Sequence, residues 1–185
     1  MVFKNQSLIN LEIVSSEVDG VVKNIEMSHI NGGIIIKIFD IINKKVINET
    51  INPYFYNNSQ DGFKKLLLST DIKSSIPLLK LDDGLQGDTD FQLSNSFAFE
   101  SEIASAIYQG GAYFKFKGNS RESKNIAANF TDFIFGIEDP DSNIKTFESC
   151  KPWSKWFFDV AWDVSWLIFD GRKNKLWIIC ITDTD

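Results

Sequence analysis

One histidine and two cysteines are all that 185 residues offer of the softer metal ligands and nucleophiles. Cys150 and Cys180 are too few for a disulfide framework, and neither has a second thiol nearby that would suggest a metal pair, so both read as reduced. A Ser-His-Asp or Cys-His arrangement would have to use His29, which falls between an apolar segment and a glycine turn and reads as a surface or edge-strand residue. No G-x-S-x-G is present, which disfavours nucleophilic hydrolysis, and no glycine-rich phosphate loop of Walker or dinucleotide type occurs. Cationic excess is missing too. With 19 Lys and Arg against 25 Asp and Glu, a net charge of −6 leaves no basic stripe for phosphate, and nucleic acid is not an expected partner. No run approaches the roughly 18 apolar residues of a membrane span, and the opening MVFKNQSLINLEIV lacks an apolar h-region and a cleavage site. The expectation is a soluble, cytoplasmic protein without a membrane partner. Repeats and low-complexity linkers are absent as well, so residues 1–185 read as one globular domain.

What is abundant is aromatic surface. Hydrophobic residues make up 43% and aromatic residues 14%, and all five tryptophans fall within 153–185. Residues 162–170 alternate, placing Trp162, Val164, Trp166 and Ile168 on one side and Asp163, Ser165, Leu167 and Phe169 on the other. A polar connector, Gly171-Arg172-Lys173-Asn174, leads into a second strand over 175–182. Hairpin parity then sends Trp177, Ile179 and Ile181 to the Trp166 face, and Leu176, Ile178 and Cys180 to the Phe169 face. Both faces are apolar. The hairpin is therefore expected inside a sheet covered on both sides, by helices or by a partner subunit.

Earlier segments supply the cover. Residues 8–14, 21–30, 33–42 and 46–51 read as a four-stranded antiparallel meander, with Asn31-Gly32-Gly33 as one turn. Helices are expected around Phe63, Leu66 and Leu67, over 97–108 and over 121–135, the last ended by Gly136. Residues 112–117 alternate and suggest a short strand. The fold class is thus α+β: an antiparallel sheet, made of the N-terminal meander and the C-terminal hairpin, packed by two or three helices.

Carboxylates are the remaining candidates for chemistry. Counting Asp139 as the first ligand of an EF-type loop puts Asp141 and Asn143 in place, but Ile144 then stands where glycine is needed and Cys150 where glutamate is needed. Asp82, Asp83, Asp88 and Asp90 fit no standard cation spacing and read as a solvated acidic loop. Strand parity puts Asp163 and Asp183 on opposite faces, so these two cannot share a metal, and Asp170 reads as half of a weak surface pair beside Arg172, Lys173 and Lys175. The closing Thr182-Asp183-Thr184-Asp185 reads as a frayed tail. No cofactor or metal is expected.

Two stretches remain that suit a protein surface: the acidic loop 82–90, and WSKWFFDVAWD at 153–163, where carboxylates lie among aromatics. In general character the chain resembles the immunity proteins of bacterial toxin systems, being short, acidic, without a catalytic constellation and compact, although it shares no diagnostic motif with them. The resemblance implies a cytoplasmic protein, not an enzyme, that binds and neutralises a basic protein partner such as a cognate toxin domain. Asp82, Asp83, Asp88, Asp90, Trp153, Trp156, Asp159 and Asp163 are the candidate partner-binding residues, charge setting the on-rate and aromatics the residence time. Two other readings stand beside it: a metal-dependent hydrolase using Asp159 or Asp163, and a homodimeric structural or interaction domain that covers one hairpin face with its twin.

Overall fold

In the computed structural model, residues 6–43, 45, 59–137 and 143–185 are described. Six strands form one antiparallel sheet: β1 (Leu8–Leu11), β2 (Gly33–Ile41), β3 (Gln92–Ser94), β4 (Ile144–Ser149), β5 (Val164–Asp170) and β6 (Lys175–Thr182), in the order β1-β2-β6-β5-β4-β3. The hairpin of β5 and β6 sits at its centre, with Trp166 opposite Ile179, Ile168 opposite Trp177 and Phe169 opposite Leu176. That register is the one its alternation predicts. The fold is α+β, with N-terminal strands and the C-terminal hairpin in one sheet under helices.

Each hairpin face builds its own core. Leu167, Phe169, Leu176, Ile178 and Cys180 pack with α2 (Ser59–Leu67), α3 (Thr70–Ser75), the 3₁₀ turn Pro77–Leu79 and the aromatics Phe91, Trp153 and Phe157. Trp166, Ile168, Trp177, Ile179 and Ile181 pack beneath α1 (Ser16–Glu26), α4 (Ser96–Gln109) and α5 (Ser120–Phe135). The chain's own helices cover both faces, so the apolar hairpin face no longer argues for a twin.

Caps mark where the helices start. Asn119 accepts the N–H groups of Arg121 and Glu122 while Glu122 reaches back to the Asn119 N–H, a complete capping box, and Gly136 at φ 87° stops α5. Ser15 caps α1 by accepting the Val18 N–H, and Asn95 caps α4 by accepting the N–H groups of Phe97 and Ala98.

Several expectations change. Residues 21–30 are not a strand: α1 runs through Val21, Val22 and Ile25, and the helix packs on the sheet that a meander strand would have joined. Residues 112–117 are irregular, β3 and β4 form where no element was expected, and the strand expected over 46–51 lies outside the described residues, as do Asp139 and Asp141.

Candidate functional site

A carboxylate withdrawn from water needs donors for its oxygens, and several of this chain's aspartates obtain them from the main chain. Asp163, only 2% exposed, accepts the N–H groups of Asp159 (2.7 Å), Val160 (3.1 Å) and Phe158 (3.2 Å) on one oxygen and the Thr182 hydroxyl on the other. It ties the 158–163 turn to the end of β6. Asp183 is fully buried and accepts the Asn31 N–H at 3.0 Å and the Ala112 N–H at 2.7 Å, joining two loops to the C-terminal strand. The segment 182–184 is thus anchored rather than frayed, with Asn31 Nδ2 donating to the Thr184 carbonyl at 2.7 Å.

His29 and Asp170 are likewise inside. His29 follows α1, with its Nδ1 3.0 Å from Ser28 Oγ; burial pushes its pKa down, against the pull of Asp183. Asp170 makes no surface pair: it is 1% exposed and bound by Arg172 through Nε and Nη2, while the same guanidinium donates to the Phe135 carbonyl at 2.7 Å. Although burial opposes ionisation of Asp170, the Arg172 and Lys173 donors outweigh it and hold the pKa below the usual carboxylate value.

The two candidate surface stretches meet. The Gln86 N–H donates to the Trp153 carbonyl at 3.0 Å, Lys155 Nζ pairs with Asp83 at 2.5 Å, and Ser149 Oγ donates to the Thr89 carbonyl. Between them lies an open recess of about 770 Å³ lined by Gln86, Gly87, Asp88, Lys151, Pro152, Phe157, Phe158 and Asp159. Asp88 and Asp159 are exposed in its lining, Asp82, Asp83 and Asp90 are exposed on the loop that bears Asp88, and Phe158 is 46% exposed. Two of the carboxylates are already partnered. Lys155 lowers the Asp83 pKa through its hydrogen bond and charge, and Lys64, 2.8 Å from Asp88, does the same there. Asp82 and Asp159 form no ion pair among the described residues.

Trp153 and Asp163 take no part in that surface. Trp153 is fully buried, donates from Nε1 to Ser165 Oγ at 2.8 Å, and stacks edge-on with Phe157, which in turn meets the half-buried Trp156. Of these rings, Phe157 lines the recess. Phe158 is the aromatic that faces out, and sequence parity could not single it out because this segment is not a strand.

A second polar cluster lies on the face covered by α4. Trp166 Nε1 donates to Glu102 Oε2 at 2.9 Å, and Cys150 Sγ donates to Glu148 Oε1 at 3.7 Å. Burial, together with the charge of Glu148, pushes the Glu102 pKa up to about 7 against the pull of the indole donor. Burial and the same carboxylates push the Cys150 thiol up, so it is held as a poor nucleophile. Among the described residues, no three His, Cys, Asp or Glu side chains converge to hold a metal ion, and no helix is long and apolar enough to cross a membrane.

No protein-family model, curated protein or solved structure matches this chain.

Proposed function

We propose that the protein binds a basic protein partner through the face formed by 82–90 and 151–159 and blocks that partner's activity, in the manner of the immunity proteins of bacterial toxin systems. The observation that carries this reading is the convergence of two sequence-distant segments on one recess, lined by exposed Asp88, Asp159 and Phe158, with Asp82 and Asp90 exposed on the same acidic loop. Such a surface steers a cationic partner by its field and retains it by burying the aromatic. Two internal lysine pairs moderate the field without abolishing it. A metal-dependent hydrolase built on Asp159 and Asp163 has weaker support, because Asp163 spends both its oxygens on main-chain donors of its own turn and on the Thr182 hydroxyl of β6.

The test is a pull-down from the native source at low and at moderate salt, run in parallel with wild type and with Asp82→Lys/Asp159→Asn. Asn is chosen at position 159 because the residue has a φ of 62°, which Asn tolerates. A basic protein retained by wild type at moderate salt and lost by the variant is expected. Equal retention by both proteins would sink the assignment of this face.

A further inference from the structure

In an antiparallel strand each residue directs both its N–H and its C=O to one side, and successive residues alternate sides. In β2 the odd-numbered residues face β6, since the Ile41 N–H donates to the Asn174 carbonyl at 2.9 Å. Even-numbered residues face β1, as the Ile42 N–H donating to the Ser7 carbonyl at 2.9 Å shows. But β1 pairs only as far as Leu11 with Ile38, after which the chain leaves the sheet to cap α1 at Ser15. Ile34 and Ile36 therefore point a donor and an acceptor each at an edge on which, among the described residues, no strand lies and no hydrogen bond reaches them.

That edge is the floor of a recess of about 800 Å³. On one side Val18 and Val22 of α1 continue the surface of Ile34 and Ile36; on the other, Pro77 and Leu78 project beside Ile35. Leu78 is 61% exposed. Charge and proline, the usual guards of an open edge, stand in the lining as Glu12, Lys37 and Pro77, while the two unpaired residues, Ile34 and Ile36, carry apolar side chains. Its alternating main-chain dipoles are complementary in charge and spacing to another polypeptide backbone.

We propose that this recess takes an extended segment of a partner protein, added as a strand antiparallel to β2 beside Ile34 and Ile36 and in line with β1, with apolar side chains on both faces. The site is independent of the acidic face, with which it shares no lining residue.

A capped heptapeptide of alternating valine and isoleucine between terminal lysines is the probe, apolar on both faces and long enough to span the roughly 17 Å of five β2 residues. Titration followed by amide NMR and hydrogen exchange should show saturable binding and slowed exchange at Ile34 and Ile36. Methylating the peptide nitrogens that face the edge should weaken binding at least about tenfold. Val22→Trp, which fills the recess, should do the same while the far-UV spectrum stays unchanged; if that variant misfolds, the methylated peptide still decides. No binding at millimolar peptide would overturn the proposal. So would equal binding of the methylated peptide, or exchange at Ile34 and Ile36 already slowed by self-association in the absence of peptide.

Discussion

Asp163 and Asp183 each draw loop N–H groups onto the end of β6, from opposite sides of the sheet. Hydrogen bonds to an ionised group contribute more than neutral ones, and an amide in the same place would turn one donor against the donors already present. Asp163→Asn is therefore expected to cost about 2–3 kcal/mol in urea unfolding. Glu102 should report on pH. Its folded pKa of about 7 lies above its ordinary 4.5, so the folded state holds the proton more tightly than the unfolded one. Stability associated with Glu102 is complete below pH 4.5 and is lost progressively as pH rises towards 7, levelling off above it. Wild type should thus show a melting temperature that falls across that window relative to Glu102→Gln, in matched calorimetric scans. A parallel pair of curves would show that Glu102 does not titrate there.

Among the elements, α1 shows how helix and strand signals compete. Its sequence, SEVDGVVKNIE, contains a mid-helix glycine and the β-branched pair Val21 and Val22, local preferences that lean away from helix. What prevails is the Ser15 cap and the burial of Val18, Val21 and Ile25 against the sheet, spaced three and four apart. A Cβ added at Gly20 meets nothing within 4 Å, so Gly20→Ala should stabilise the protein by about 0.5–1 kcal/mol in denaturant titration. At Gly111 the same change puts a Cβ 2.0 Å from Asp183 Oδ2 and 2.5 Å from the Ser28 carbonyl, and it should destabilise by more than about 2 kcal/mol. Gly20→Ala failing to raise the midpoint would mean that the helix owes nothing to propensity. The hairpin, by contrast, was legible because strict alternation fixes faces, and α4 and α5 because their stripes end at glycine. β3 and β4 were not, since Gln92–Ser94 is three residues long and Ile144–Ser149 mixes polar and apolar side chains on an outer part of the sheet. As for the site, the sequence supplied its two stretches but not their meeting. Nor did it separate Phe158, which faces out, from Trp153, which is buried, because an irregular turn held by Asp163 has no period to read.

For the molecule as a whole, the consequence of a hairpin apolar on both faces is two cores that share one wall. Phe63 lies in the core under α2 and meets Phe91 and Phe147 at centroid distances of 5.1 and 4.9 Å. In the other core, Phe99 meets Trp166 edge-on at 5.4 Å. Neither core closes without β5 and β6, so loosening one removes the backing of the other, and the two should unfold together rather than in sequence. Truncating either phenylalanine to alanine should cost about 3–5 kcal/mol. In Phe63→Ala and in Phe99→Ala alike, the urea transition should move as a single step. Far-UV circular dichroism reports both halves, while tryptophan emission draws on Trp153 in one core and on Trp166 and Trp177 in the other. Coincident curves from the two probes are expected in both variants. A split transition in either, with the untouched core melting at the wild-type midpoint, would show instead that the helices on each side hold their half of the sheet alone.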